Sequence, residues 1–187
     1  DILVSDIGGT NARFALVREG SGQLLNCREY QCSEFGNIDL AIEHYLAEIE
    51  PSSLSRICLA VPGPVDNDEI NFVNNHWEFS QKALQHTLQK PLLCINDFDA
   101  QAYYVNQISE DELSWLNDNR PKGGGVKLVL GAGTGLGVSA ILPTGELVPS
   151  EAGHITFAPA NDHEMLVLKL LWSKYKRVSV ERLLSGP

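Results

Sequence analysis

Apolar positions cluster in short runs from the first residues onward. Ile2-Leu3-Val4-Ser5-Asp6-Ile7 reads as a buried strand that stops at Gly8-Gly9-Thr10. An apolar pattern resumes over residues 12–17, and Gly20-Ser21-Gly22 turns the chain into a third expected strand over 23–31. Three strands joined by tight turns make a meander, not the strand–loop–helix of a dinucleotide-binding unit. Ile38, Ala41, Ile42, Tyr45, Leu46 and Ile49 then fall at helical spacing and predict a helix over 38–49. A strand over 57–61 closed by Pro62-Gly63-Pro64, a helix over 81–89 and a buried strand over 91–95 follow, with another helix starting near Ala100. This succession predicts a mixed α/β sheet.

Residues 117–125 are polar and glycine-rich and read as a surface loop. The pattern then restarts. Residues 126–130 predict a strand, a glycine-rich turn follows, and a second strand is expected over 136–142 before a turn at 143–145. A helix is expected over 165–175.

The charge balance excludes one class of function. Twenty-four acidic residues against 14 basic ones give a net charge of −10, and a nucleic-acid-binding domain normally shows a basic face. A protein this acidic has to hold an anionic ligand through backbone N–H groups and a cation, not through its overall field. The 43% hydrophobic and 20% charged fractions are those of an ordinary globular chain. Four cysteines (27, 32, 58 and 94) show no metal-binding spacing and are expected to be buried thiols. No apolar run reaches the roughly 20 residues of a membrane span, so no membrane partner is expected and the cytoplasm is the expected compartment.

Two turns carry candidate chemistry. Asp6-Ile7-Gly8-Gly9-Thr10-Asn11 sits between two strands, and Gly131-Ala132-Gly133-Thr134-Gly135-Leu136-Gly137 repeats the device in the second half. Glycine lets the backbone take positive φ and approach a ligand closely, so successive N–H groups can face a phosphate. An Asp beside such a turn suits Mg²⁺ held through water. A plain tight turn explains one such hairpin equally well. Neither turn is a Walker A motif, which needs Gly-Lys-Ser/Thr opening a helix.

Between and after the turns lie polar residues of two possible kinds. Asn96-Asp97 follows an apolar strand, where a carboxylate can accept the proton of an attacking hydroxyl. Asp97 or Asp99 could equally cap the next helix. Glu151-Ala152-Gly153-His154 places an acid and an imidazole where both can hold neighbouring hydroxyls. Glu181 could be an ordinary surface acid.

Taken together, these stretches resemble the bacterial glucokinase family, in the sugar-kinase branch of the actin-like ATPase superfamily. The residues that carry the resemblance run from Asp6 to Arg13, include Asn74 and Trp77-Glu78-Phe79-Ser80, and continue with Asn96-Asp97-Phe98. Further on they comprise Gly131 to Gly137, Glu151 to His154 with Phe157-Ala158-Pro159, and residues 178–187. The resemblance implies an actin-like (ribonuclease H-like) α/β fold with two domains flanking a cleft, expected at 1–105 and 106–187. It implies phosphorylation of glucose by ATP, with Asp97 as base on the 6-hydroxyl. Asn74, Asn96, Glu151, His154 and Glu181 are expected to bind the other hydroxyls. Asp6, Gly8, Gly9, Thr10, Asn11, Gly133, Thr134 and Gly135 are expected to hold Mg-ATP, with Asp6 on the Mg²⁺ through water. A homodimer is implied as well.

Family members exceed 300 residues, so part of the larger domain and of the adenine pocket is expected to lie outside these 187 residues. Ala152 stands where the family commonly has Gly, and the zinc signature of the related repressor-and-kinase family is absent. A sugar-binding regulator, a kinase for another hexose and an ATPase without a sugar substrate are the alternatives. The regulator would need a basic helix-turn-helix, which neither end of the chain carries.

Overall fold

A computed structural model describes residues 1–51, 53–72, 75–119 and 123–186. The chain divides into two compact units, Asp1–Ala100 and Gln101–Pro187.

The first unit is built on a five-stranded sheet. Strands β1 (Ile2–Ile7), β2 (Asn11–Val17) and β3 (Leu24–Gln31) form the expected antiparallel meander. Helix α1 (Ile38–Ile49) follows, then β4 (Arg56–Val61), the hairpin β5 (Glu69–Asn71) and β6 (Glu78–Ser80), and helix α2 (Gln81–Leu88). Strand β7 (Leu92–Asn96) runs directly into helix α3 (Asp97–Val105). The strand order is β3-β2-β1-β4-β7, with β4 parallel to both β1 and β7.

Register explains the core. Leu3 opposes Leu16 and Ile57, while Ile7 opposes Ala12, so alternate residues of β1, β2 and β4 share one sheet face. Leu3, Ile7, Phe14, Ile57, Leu59 and Val61 are all buried there with Cys94 of β7. The apolar stripe of α1 (Ile38, Ala41, Ile42 and Tyr45) belongs to the same cluster, and the Tyr45 ring stacks on Phe14 at 5.5 Å. Asn37 starts α1 by accepting the Ile38 N–H, and Glu50 ends it in the left-handed conformation. The hairpin β5–β6 adds Ile70, Phe72, Trp77 and Phe79. Its three-residue strands carry too few alternations to be read from sequence.

Of the four cysteines, Cys32 and Cys94 are buried, Cys58 is half-buried and Cys27 is exposed. Cys27 departs from expectation because β3 is an edge strand most of whose residues face solvent.

The second unit holds the second meander, β8 (Lys127–Ala132), β9 (Leu136–Ile141) and β10 (Leu147–Val148), in the order β10-β9-β8. A 3₁₀ turn over Ala152–His154, helix α4 (Asp162–Trp172) and helix α5 (Glu181–Leu184) follow. Helix α4 begins ahead of the expected Met165 because Asn161 accepts the Glu164 N–H while the Glu164 carboxylate accepts the Ala160 N–H. Of the expected loop at 117–125, residues 120–122 lie outside the described residues.

Candidate active site

In the first unit the parallel strands β1, β4 and β7 end on one edge of the sheet. Asp6 and the Gly8-Gly9-Thr10 turn close β1, Gly63 follows β4, and Asn96-Asp97 ends β7 and opens α3. Ligands bind beyond the carboxyl ends of parallel strands in open α/β sheets.

Asp97 is half-buried, and one of its carboxylate oxygens accepts the Phe98 N–H at 2.9 Å. Burial pushes its carboxyl above the usual 3.8, and the negative charges of Asp6 and Asp99 push in the same direction, against the Phe98 hydrogen bond. A base with a raised pKa abstracts a proton more effectively near neutral pH.

Asp97 shares the Phe98 N–H, but the cap of α3 belongs to Asn96. Its Oδ1 accepts the N–H groups of Phe98 (2.9 Å) and Asp99 (3.2 Å), while its Nδ2 donates to the Gly63 carbonyl at 3.0 Å. Asn96 therefore joins the ends of β4 and β7, with one amide hydrogen left for a ligand. Helix α3 accordingly starts at Asp97 instead of near Ala100. Asn96→Ala should take from the Asp99 N–H and the Gly63 carbonyl the partner that Asn96 gives them, while Phe98 keeps its bond to Asp97. A loss of about 1–3 kcal/mol is expected in urea unfolding.

At the first turn Gly8 donates its N–H to the Asn11 carbonyl (2.8 Å), and the Thr10 carbonyl accepts the Cys32 N–H (2.8 Å). Asn11 accepts a hydrogen bond from Gln31 at 2.7 Å, and the Thr10 side chain is exposed. The Asp6 carboxylate meets Arg13 at 3.0 Å, in an exposed pair that Glu29 completes on the other side. Exposed pairs contribute little stability, so Arg13 orients Asp6 more than it stabilises the fold. Asn75 donates to the Gly8 carbonyl at 3.2 Å. Sequence reasoning assigned no role to Arg13 or Asn75. The only signal for Asn75 was its position beside Asn74, and Asn74 itself lies outside the described residues.

In the second unit three expected residues come together. His154 Nδ1 is 3.4 Å from a Glu181 oxygen, and its Nε2 is 3.6 Å from Glu151. The Glu151 and His154 side chains are more than half exposed, whereas Glu181 is 24% exposed. A backbone pairing makes this possible: Phe157 donates to the Val178 carbonyl (2.9 Å) and Val180 to the Ile155 carbonyl (3.0 Å), which delivers Glu181 beside His154. Arg177 reinforces it by donating to the His154 carbonyl and to Thr156. The more exposed Glu151 carboxylate has oxygens that can accept from a ligand hydroxyl.

The expected role of positive φ does not hold for the turn glycines. Gly8, Gly133 and Gly135 all have ordinary φ. Their reasons for being glycine differ. Among the described residues a Cβ on Gly133 would meet nothing within 4 Å, so no packing contact there demands glycine. A Cβ on Gly8 would touch only the Asn11 carbonyl, at an ordinary 3.5 Å. A Cβ on Gly135 would strike the Glu181 carboxylate at 2.8 Å. The Thr134 side chain at the tip is exposed. The Gly8 and Gly133 N–H groups are both used within the turns, by the Asn11 carbonyl at 2.8 Å and the Gly135 carbonyl at 2.9 Å, so a polyphosphate would have to meet the other N–H groups of each turn.

Comparison with known proteins places the chain in a family. A family model described as Glucokinase matches residues 3–187. The glucokinases of Chromohalobacter salexigens and Marinobacter nauticus are 41% and 42% identical to the chain. Both alignments cover 98% of the chain and 59% of the relative. The crystal structure of a glucokinase from an Antarctic psychrotroph superposes with a TM-score of 0.78 at 31% identity, covering all of this chain and 61% of that one. The fold is the actin-like α/β fold of the sugar kinases, and the chain belongs to the glucokinase family. It spans about 59% of the length of the curated relatives it matches.

Proposed function

We propose that the intact protein is a glucokinase, transferring the γ-phosphoryl group of ATP to the 6-hydroxyl of glucose. The observation that carries this reading is the family match across residues 3–187, which takes in every candidate motif from Asp6 to Pro187.

Asp97 accepts the proton of the 6-hydroxyl as the oxygen attacks. Asn74, Asn96, Glu151, His154 and Glu181 bind the remaining hydroxyls and hold the ring in one orientation, and positioning of this kind supplies much of the rate. The turns at Gly8-Gly9-Thr10-Asn11 and Gly133-Thr134-Gly135 receive the phosphates. Mg²⁺, when bound with ATP, neutralises charge that develops on the phosphoryl oxygens. Asp6 would hold it through water. Among the described residues no three His, Cys, Asp or Glu side chains form a metal cage, which suits an ion that keeps most of its ligands from water and phosphate.

Residues 1–105 are assigned to the smaller domain and 106–187 to part of the larger one, in a cytoplasmic homodimer. Among the described residues no helix is long and apolar enough to cross a membrane. The test is a coupled ATP-dependent assay on the intact protein with glucose, mannose, fructose and glucosamine. Glucose should be preferred. Turnover with mannose or glucosamine above that with glucose would replace the substrate assignment, and no turnover with any hexose would overturn the reading.

A further inference from the structure

One carboxylate ties together two places that the proposed function treats separately. Glu181 directs one oxygen at His154 Nδ1 (3.4 Å) and uses the other to accept the Leu136 N–H at 3.0 Å. Leu136 is the residue that closes the Gly133–Gly135 turn and starts β9. The carbonyl of the same Leu136 packs against Gly153, the residue before His154, so closely that a Cβ there would sit at 1.9 Å. At the other end of the turn, the Gly186 N–H donates to the Gly133 carbonyl at 2.7 Å. Helix α5 and its flank therefore grip the turn at both ends, at Glu181 and at Gly186.

The geometry points to Glu181 as a positioning residue that couples the hexose-binding cluster to the second phosphate turn. This rests on the proposed function. A hexose hydroxyl that bonds Glu181 or His154 changes how the carboxylate shares itself between His154 and the Leu136 N–H. The turn then shifts, and with it the backbone groups offered to phosphate. Linkage makes the effect reciprocal: a phosphate that settles the turn settles Glu181 for the sugar. Gly135 enters the same unit, because its missing side chain leaves room for the Glu181 oxygen.

Neighbouring glycines separate this from a simple phosphate-contact role. In Gly135→Ala the new methyl meets the end of a flexible side chain, so the backbone holds and the carboxylate moves. In Gly133→Ala the methyl meets nothing. Glucose affinity of the intact protein is measured by calorimetry with no nucleotide present, and Mg-ADP affinity with no sugar present. Gly135→Ala should weaken glucose binding about tenfold, whereas Gly133→Ala should leave it within about twofold. Glu181→Ala should weaken Mg-ADP binding about fivefold, a scale typical of coupling energies. Glu181→Gln, whose amide oxygen still accepts the Leu136 N–H, should restore Mg-ADP binding. Unchanged glucose affinity in Gly135→Ala, or unchanged Mg-ADP affinity in Glu181→Ala, overturns the coupling. If Gly135→Ala does not fold, the Glu181 pair decides alone. Wild-type protein that fails to bind glucose refutes the kinase reading and with it the coupling built on it.

Discussion

Asp97→Asn is expected to lower turnover by about 10²–10⁴-fold, the range typical for loss of a general base. Glucose affinity should change little, because the amide keeps the shape and an oxygen able to accept the Phe98 N–H. The same substitution should make the protein slightly more stable. Burial favours the neutral form of Asp97, so the folded protein holds this proton more tightly than the unfolded chain does. The contribution of this group to stability is complete below the usual 3.8 and is lost as pH rises through the raised value. At neutral pH the ionised carboxylate is thus a cost to the fold, which asparagine removes. A rise in Tm on the order of a few degrees is expected, the usual trade of stability against activity. In the wild type, kcat/KM should fall on acidification at a pH above that of an ordinary aspartate. Steady-state kinetics with a thermal melt checks all three. Turnover within a few-fold of wild type would remove Asp97 from the role of base.

Gly153→Ala is expected to unfold much of the second unit. A Cβ at this buried position would lie 1.9 Å from the Leu136 carbonyl oxygen and 2.9 Å from its carbon. Both are backbone atoms of β9, so no rotamer change relieves the overlap, unlike the clash at Gly135. A loss above about 4 kcal/mol is expected, large enough to be diagnostic of backbone overlap. The buried residues of this unit are few, chiefly Val138, Ser139, Ile141, Leu168 and Val178, which leaves little reserve. The first unit has its own core around Leu3, Phe14, Tyr45, Leu59 and Trp77. Native-state hydrogen exchange should therefore show protection lost in β9 and around Val178 but kept in β1, β4 and β7. Unchanged protection in β9 would show that the turn at Ala152–His154 can move away from the strand.

Much of this architecture was legible from local pattern. The first meander, α1, β4, α2, β7 and the restart at β8 all carry their own periodicity, and the structure places them within a few residues of expectation. The hairpin β5–β6, strand β10 and helix α5 were not legible, because two to four residues are too short for a period to register. Element starts shifted where a side chain competed for backbone N–H groups, as Asn96 does at α3 and Asn161 at α4. Residue identity permits such caps at several neighbouring positions, and only the fold selects one.

Residue chemistry by itself determined that the chain holds two glycine-rich turns, a set of acids with a histidine, and a net charge of −10. Their order along the chain carried the family resemblance. Which glycine serves which purpose was decided by tertiary structure. Gly133 faces open space, Gly135 makes room for Glu181, and Gly153 makes room for Leu136. These assignments depend on what lies within a few ångströms of an atom the residue does not have. The partners stand 45 positions apart in the case of Leu136 and Glu181, a distance over which periodicity and propensity are silent.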